Sequence, residues 1–191
     1  MKRIAIFCSG SGTNAEVIMR RFQNHDTIKV VRLLANKPGI KALERAAQFE
    51  VPTTVFNRDT FYNTTAIEEL LQLENVDFII LSGFLWKVPE KMVSIWPNAI
   101  INIHPSLLPK YGGKGMFGMH VHEAVVANKE VESGISIHLV NQHYDEGQLL
   151  FQAKCEVLPS DTALNLAQKV HQLEYAHFSE VIENYILNSG K

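Results

Sequence analysis

The stretch Ile4-Ala-Ile-Phe-Cys8 is an uninterrupted apolar run, and Ser9-Gly-Ser-Gly12 follows it at once. A short apolar run that stops at glycines is typical of a strand inside a parallel sheet. Residues 15–22 then carry apolar side chains at helical spacing. The start of the chain therefore predicts a strand, a tight turn and a helix, which is the first unit of an α/β fold.

The same alternation continues outward from this unit. We predict strands at 30–35, 53–56, 78–81 and 100–103, with helices at 42–49, 65–73 and 89–95 between them. Right-handed βαβ units of this kind build a mostly parallel sheet.

The second half of the chain has a different pattern. We predict a long loop at 105–118, a helix at 121–127, an antiparallel strand pair at 135–140 and 149–157, and a long final helix capped by Asp161. The sequence thus predicts one α/β domain over residues 1–191, of Rossmann type, with an antiparallel strand pair and a long helix at its C-terminal end.

The composition narrows the class of protein. The chain has 191 residues, a formal net charge of −2 and a hydrophobic share of 46%, which suits one folded domain. It contains no run of Lys and Arg, so we expect no nucleic-acid partner. It contains no apolar run near the ~20 residues of a membrane span and no signal peptide, so we expect a cytoplasmic location. Cys8 and Cys155 lie in apolar stretches and are interpreted as buried reduced thiols.

The glycine turn resembles a dinucleotide-binding loop only loosely. Residues 10–15 fit the pattern G-x-G-x-x-G/A after a strand. A dinucleotide site also needs an acidic residue at the end of the second strand, and Ala35-Asn36-Lys37 provides none. We therefore discount NAD as a cofactor.

The start of the first helix has two interpretations. The backbone N–H groups of Gly12, Thr13 and Asn14, together with the helix dipole, suit a monophosphate. Alternatively, Thr13 and Glu16 form a capping box that satisfies the same donors internally. The local sequence leaves both open, and the position after the first strand favours a ligand site.

Asn102 and His104 lie two residues apart at the end of a predicted strand. Residues at this spacing point to the same face, so an amide donor and an imidazole should lie together. Such a pair can stabilise an oxyanion and move a proton, or it can be a hydrogen-bonded structural pair. Asp145 is the candidate partner that would fix the His104 tautomer and raise its pKa, although an acid in a turn is also ordinary.

The segment Asn102-Ile-His-Pro-Ser-Leu-Leu-Pro-Lys-Tyr111 closely resembles the signature of the phosphoribosylglycinamide formyltransferase family. The resemblance covers nearly the whole chain. It includes Gly10–Asn14, Ser82–Leu85, Asp145–Gly147 and Glu174. That family transfers the formyl group of 10-formyltetrahydrofolate to the amine of 5-phosphoribosylglycinamide in de novo purine (IMP) biosynthesis.

The resemblance implies roles for individual residues. The implied catalytic set is Asn102, His104 and Asp145. The implied substrate-binding set is Gly12, Thr13, Asn14 and Glu174. The implied folate-binding set is Arg58, Leu85, Trp86, Lys87, Val88 and Asn102. It also implies a cis peptide at Leu108–Pro109.

The resemblance further implies small-molecule substrates, 10-formyltetrahydrofolate as a co-substrate, no metal, and a monomer or homodimer. Residues 1–104 would form a phosphate- and nucleotide-binding half, and residues 105–191 a folate and catalytic-loop half. Two departures stand out. Many members read Asp-Gly-Gly-Pro where this chain has Asp145-Glu-Gly-Gln148. Residues 111–118 are longer than usual and form either a lid or a surface insertion.

Other functions compete with this one. A 10-formyltetrahydrofolate hydrolase uses a similar Asn, His and Asp set, but that family has an N-terminal regulatory domain for which a first strand at Ile4 leaves no room. A methionyl-tRNA formyltransferase would have a further C-terminal domain and a basic surface. A non-catalytic nucleotide-binding module is a third alternative. A metal site at His120-x-His122, with His138 or His143, has weak spacing, and we expect surface histidines there.

Overall fold

The structure is a computed structural model that describes residues 1–190, and its centre is a seven-stranded sheet. The strands are β1 (Lys2–Cys8), β2 (Ile28–Ala35), β3 (Thr53–Val55), β4 (Phe78–Leu81), β5 (Ile100–His104), β6 (Glu132–Leu139) and β7 (Leu149–Glu156). The helices are α1 (Thr13–Phe22), α2 (Lys41–Gln48), α3 (Arg58–Asn63), α4 (Ala66–Leu73), α5 (Glu90–Ile95), α6 (Met119–Ala127) and α7 (Ala163–Asn188).

The strand order explains where a site can form. The order is β3-β2-β1-β4-β5-β6-β7, and the first five strands are parallel. The strands β6 and β7 form an antiparallel pair, as the sequence predicted, and β6 is also antiparallel to β5. The carboxyl ends of β1, β4 and β5 therefore lie side by side, and ligands of open α/β sheets bind at such an edge.

The central strands are covered on both faces. Ile4, Ala5, Ile6 and Phe7 are all fully buried, although successive residues of a strand point to opposite faces. This is why β1 is a continuous apolar run in the sequence rather than an alternating one. The result is a rigid base beneath the loops at the carboxyl edge.

Helix α7 packs against both the parallel and the antiparallel part of the sheet. It spans 26 residues and packs against α1, α6 and the three strands β5, β6 and β7. The prediction that Asp161 caps this helix is wrong. Thr162 is the N-cap and forms a capping box with Asn165, whereas the carboxylate of Asp161 pairs with Lys169.

The predicted elements are all present, and one short helix was missed. Helix α3 begins after Asn57, whose side-chain oxygen accepts a hydrogen bond from the N–H of Thr60 at 2.9 Å. Such a six-residue helix is too short to give a readable apolar period. No helix in residues 1–190 is long and apolar enough to span a membrane.

The cysteine prediction is half right. Both cysteines are free, and Cys8 is fully buried at the end of β1. Cys155 is only partly buried, because it lies on the outermost strand β7.

Candidate active site

A cavity of about 540 Å³ opens at the carboxyl edge of the parallel strands. Its walls come from the loops that follow β1, β4 and β5, from the loop between β6 and β7, and from α6 and α7. The continuous lining segments are Gly10–Asn14, Leu81–Val88, Asn102–Pro105 and Gly113–Gly118. The residues that the sequence predicted for catalysis, substrate binding and folate binding all line this one cavity, with the exception of Arg58.

The helix α1 begins at one end of this cavity, and its N-cap is Gly12. Gly12 has φ +71°, a left-handed conformation that costs little only for glycine. A Cβ at this position would lie 2.5 Å from the Cβ of Ala42. The glycine is therefore required by both the backbone angle and the close approach of α2.

The capping box, one of the two interpretations of this helix start, is not formed. Within residues 1–190 no side chain caps α1, and Glu16 instead forms ion pairs with Arg20 and Arg45. The backbone N–H groups at Thr13 and Asn14 consequently have no side-chain cap. Such an uncapped helix N-terminus at the wall of a cavity suits an anion.

A buried carboxylate faces this helix terminus. Glu174 of α7 is only 8% exposed and accepts a hydrogen bond of 2.8 Å from the Nδ2 of Asn14. Burial raises the pKa of Glu174, and the hydrogen bond from Asn14 opposes that rise only in part. The Oδ1 of Asn14 is buried and has no partner within residues 1–190. An acceptor and a carboxylate are thus available beside the helix terminus.

The other end of the cavity contains Asn102 of β5 and His138 of β6. These residues are directly opposite in the antiparallel ladder. The Nδ1–H of His138 donates to the carbonyl of Leu139 at 2.8 Å, and its Nε2 accepts from the Nδ2 of Asn102 at 3.1 Å. The orientation of the Asn102 amide is therefore fixed by a neighbouring strand.

His104 lies at the end of β5 and is only 4% exposed. Its Nε2–H donates to the carbonyl oxygen of Tyr111 at 2.7 Å, and its Nδ1 is 3.7 Å from the Oδ2 of Asp145. A carbonyl oxygen can only accept. The neutral ring therefore carries its proton on Nε2, and the lone pair of Nδ1 is turned toward Asp145 at the cavity wall.

The prediction of a raised pKa for His104 is wrong. Burial lowers the pKa of His104 below its ordinary value, and the charge of Asp145 and the Tyr111 carbonyl offset this only in part. The physical reason is that desolvation disfavours the imidazolium more than one carboxylate at 3.7 Å favours it. The direction of this shift favours the neutral imidazole, which is the form that can act as a base.

Asp145 lies between two histidines, as only the folded chain could reveal. Its Oδ1 is 3.7 Å from the Nε2 of His138, and its Oδ2 accepts from the N–H of Gly113 at 2.8 Å. Burial alone would raise the pKa of Asp145, but the neighbouring rings of His138 and His104 and the amide of Gly113 hold it below its usual value. The carboxylate therefore remains charged.

The comparison with family models decides the family. The model described as "Formyl transferase" matches residues 2–182. This chain belongs to the formyl transferase family.

Individual members support that assignment. Phosphoribosylglycinamide formyltransferase of Bacillus subtilis is 32% identical over 191 residues, which cover 97% of this chain and 95% of that protein. A chloroplastic phosphoribosylglycinamide formyltransferase of Arabidopsis thaliana is 35% identical over 95% of this chain. The chain spans 64% of the length of that plant relative and 60% of the one from Vigna unguiculata. The crystal structure of the Bacillus halodurans enzyme has a TM-score of 0.87 at 29% identity, covering 98% of this chain and 97% of that one.

Within this formyl transferase, the segment after β4 forms the second wall of the cavity. The N–H of Leu85 donates to the Oγ of Ser9 at 3.0 Å, which ties the segment to the glycine turn. Trp86 is half-buried against the aromatic rings of Phe56 and Phe61. Leu85 is largely exposed, whereas Val88 is buried.

Two cations lie beside this wall. The guanidinium of Arg58 is 5.1 Å from the centre of the Trp86 ring, although Arg58 does not line the cavity itself. The ammonium of Lys87 is 5.7 Å from the ring of Tyr144. Residues Leu85–Val88 thus lie along one wall, and Arg58 contacts that wall through Trp86.

The formyl transferase loop 105–118 has two parts. Its first part is fixed to β6, because the N–H of Leu108 donates to the Oγ of Ser136 at 2.9 Å, and it contains the cis peptide Leu108–Pro109 that the resemblance implied. Its second part, Gly113–Gly118, lines the cavity. Its three glycines, Gly113, Gly115 and Gly118, have positive φ.

Three histidines of the site were not predicted as such. His138 supports Asn102 and Asp145, and both His122 and His171 line the cavity near Glu174. The expectation of a surface His122 is wrong. It is buried, and burial together with the nearby His171 lowers the pKa of His122 to about 4. Within residues 1–190 no group of three or more His, Cys, Asp or Glu is arranged to hold a metal ion. His138 could have been identified only from the strand register that places it on β6 opposite Asn102.

Proposed function

We propose that this protein transfers the formyl group of 10-formyltetrahydrofolate to the amine of 5-phosphoribosylglycinamide, a step of de novo purine (IMP) biosynthesis. One observation carries this function. A single cavity has an uncapped helix N-terminus at one end and a cluster of the buried His104 with the partly buried Asn102 and Asp145 at the other. The similarity to enzymes named for this reaction supports the same conclusion.

The phosphate of the nucleotide would bind at the start of α1. The N–H groups of Gly12, Thr13 and Asn14 supply neutral donors, and the dipole of α1 favours the negative charge. Glu174 lies 2.8 Å from Asn14 on the same wall. Its carboxylate would accept hydrogen bonds from the hydroxyl or amine groups of the nucleotide, which is the chemistry expected of a buried acceptor.

The folate would bind along the wall after β4. Leu85 and Trp86 offer apolar surface, and Lys87 and Val88 line the same wall. Arg58 stacks on Trp86 and would meet an anionic part of the folate outside the cavity. The formyl group would then lie near Asn102, where the two walls join.

The chemistry begins with attack of the amine on the formyl carbon. Negative charge collects on the formyl oxygen, and the Asn102 amide can donate one N–H to it while the other remains on His138. One preorganised donor of this kind is worth about 3–4 kcal/mol of barrier. This assigns to Asn102 the electrostatic part of catalysis.

His104 would handle the proton. Its Nδ1 lone pair takes a proton from the attacking amine, and the imidazolium so formed lies beside the Asp145 carboxylate. The same proton then reaches N10 of the folate as the bond from N10 to the formyl carbon breaks. The products are the formylated nucleotide and tetrahydrofolate. These reaction steps need neither a metal nor a covalent enzyme intermediate.

An acceptor assay tests the proposed function. Purified protein is given 10-formyltetrahydrofolate with 5-phosphoribosylglycinamide or with buffer alone, and formylated nucleotide and formate are quantified. We expect formylated nucleotide in the first reaction and almost no formate in the second. Formate at equal rates in both would show a hydrolase. Nucleotide binding without any turnover would show a non-catalytic module.

We also propose that the protein acts in the cytoplasm on small molecules alone, as a monomer or homodimer. The organisation into a nucleotide half (1–104) and a folate and catalytic-loop half (105–191) belongs to the same proposal. Light scattering of the purified protein would decide between one and two copies, and larger assemblies would contradict it.

A further inference from the structure

We propose that Tyr111 is a positioning residue for His104, which sets the tautomer of the catalytic imidazole through a hydroxyl anchor on the far side of the loop. This inference rests on the proposed function, because it concerns the same imidazole. It begins with the hydrogen bond of 2.7 Å between the Nε2 of His104 and the carbonyl oxygen of Tyr111.

The position of that carbonyl is set by the backbone of the loop. Tyr111 has φ +55°, a left-handed conformation that is unusual for a residue other than glycine or asparagine. Such a conformation persists only where surrounding contacts hold it. The contacts that hold it here come from the tyrosine side chain.

The hydroxyl of Tyr111 is anchored at the turn between α6 and β6. It donates to the Oε1 of Glu130 at 3.0 Å and accepts from the Nδ2 of Asn128 at 2.9 Å. The ammonium of Lys110 also contacts Glu130, at 3.1 Å. Tyr111 therefore acts as a strut. Its side-chain hydroxyl is fixed to the turn, and its backbone carbonyl accepts the hydrogen bond from His104.

The same loop also holds the acid. The N–H of Gly113 donates to Asp145, and a Cβ on Gly112 would lie 3.4 Å from the Cβ of Asp145. The carbonyl of Tyr111, which holds His104, is thus only two residues along the chain from the N–H of Gly113, which holds Asp145. Fixing Tyr111 consequently fixes both members of the His104–Asp145 pair.

The chemical effect follows from which nitrogen is held. Asp145 and His104 line the cavity, whereas Tyr111 does not. The ring keeps its proton on Nε2, which donates to the Tyr111 carbonyl, so the lone pair of Nδ1, at the cavity wall beside Asp145, is left as the base. Without the strut the neutral ring could place its proton on Nδ1, facing Asp145, and the base would be lost.

The carbonyl also affects the protonation of His104. The charged and titratable groups that face the ring are Asp145, His138 and His122. The charge of Asp145 and the Tyr111 carbonyl both act to raise the pKa of His104, against burial. Loosening the carbonyl should therefore lower this pKa further, so the loss of activity at low pH begins at a lower pH.

Tyr111→Phe tests the strut, because it removes only the hydroxyl. We expect kcat to fall by roughly fivefold to twentyfold, the value of losing about one or two hydrogen bonds. Both KM values should change less than twofold, and the acid limb of the kcat profile should shift to lower pH. Tyr185→Phe is the matched control, since its hydroxyl donates to the carbonyl of Asn98 and the residue does not line the cavity.

Nitrogen-15 NMR of the His104 ring gives a readout that needs no turnover. In the wild-type protein above the His104 pKa we expect the Nε2–H tautomer, and in Tyr111→Phe a mixture with the Nδ1–H form. Asn128→Ala removes one anchor from an exposed position and should give a smaller change in the same direction, which keeps the test available if Tyr111→Phe does not fold. A wild-type ring protonated on Nδ1, or a Tyr111→Phe variant with the tautomer and pH profile of Tyr185→Phe, would overturn the proposal. Because the spectrum is independent of formyl transfer, its outcome is separate from that of the acceptor assay.

Discussion

The two ends of the cavity are built differently. At the end of β5, every polar side chain of the cluster already has a partner within the protein: Asn102 on His138, His104 on Tyr111 and Asp145 on Gly113. At the start of α1 the helix has no side-chain cap, and the Oδ1 of Asn14 is buried without a partner within residues 1–190. The side chains at the end of β5 are thus held by contacts within the protein, whereas the backbone N–H groups at the start of α1 are available to a ligand.

This difference follows from what each end would do. Proton transfer requires an imidazole of fixed tautomer and pKa, which only a dense set of neighbours can provide. Anion binding at a helix terminus relies on backbone N–H groups, and an internal cap would compete with the ligand. Substitutions should therefore act on turnover at the first end and on nucleotide affinity at the second.

The largest effect is expected at His104. In His104→Ala the base at the end of β5 is gone, so kcat should fall by about 10²–10⁴-fold, the usual contribution of general acid–base catalysis. Stopped-flow or steady-state formyl transfer measures this, and isothermal titration should show folate affinity within about threefold of wild type. His120→Ala, at an exposed position outside the cavity, serves as the control. Near-normal turnover in His104→Ala would remove the imidazole from the mechanism.

Asp145→Asn should have the next largest effect and should also change the pH profile. The charge of Asp145 raises the pKa of His104, so its removal lowers that pKa and makes the base weaker. The kcat/KM should fall by roughly tenfold or more. Activity of a neutral base is lost as pH falls through its pKa, so the acid limb should move to lower pH.

The matched control for Asp145→Asn is Asp26→Asn, which removes one exposed carboxylate far from the ring. A pH profile of kcat/KM from pH 4.5 to 8 compares the variants with wild type. An acid limb that stays at its wild-type position in Asp145→Asn would show that the carboxylate does not act on His104.

Gly12→Ala should act at the other end of the cavity. The added Cβ meets Ala42 at 2.5 Å and the residue has φ +71°, so the start of α1 must shift. We expect a several-fold rise in the KM for 5-phosphoribosylglycinamide with a smaller change in kcat, and a loss of about 1–2 kcal/mol in the free energy of unfolding. Steady-state kinetics and urea unfolding measure the two effects.

Gly10→Ala is the control for this variant, since no atom lies within 4 Å of the added Cβ and its φ is not positive. If Gly12→Ala loses kcat at saturating substrates while its KM is unchanged, the functional separation of the two ends is wrong.

The smallest effect is expected away from both ends. Thr162→Ala removes the N-cap of α7 and should lower the free energy of unfolding by about 1 kcal/mol. Because Thr162 does not line the cavity, kcat and both KM values should equal those of wild type. Thermal unfolding with parallel kinetics measures this, and Asp161→Ala compares the residue that the sequence wrongly suggested as the cap. A large loss of turnover in Thr162→Ala would show that the site is sensitive to general loosening of the fold.

Local patterns in the sequence predicted most of the fold and one half of the site. The run Ile4–Cys8 and the glycines after it are a direct consequence of a buried central strand, so the element order followed from it. Asn102 and His104 were predicted together because a strand places residues two apart on one face. The helix α3 was missed because its six residues are too few to show a period.

The rest of the site depends on contacts between distant parts of the chain. His138 supports Asn102 only because β6 pairs with β5 in one register, and no local pattern encodes that register. The lowered pKa of His104 results from its burial, which the sequence does not display. The resemblance suggested Asp145 as the partner, but the carbonyl of Tyr111 is a backbone group and carries no residue signal.

The most direct test is a crystal structure of the protein with 5-phosphoribosylglycinamide bound. We expect phosphate oxygens within hydrogen-bond distance of the N–H groups of Thr13 and Asn14, and the reactive amine close to Asn102 on the side of the Nδ1 of His104. A phosphate bound elsewhere, or an amine turned away from His104 toward solvent, would contradict the assignment of nucleotide binding to one end and proton transfer to the other.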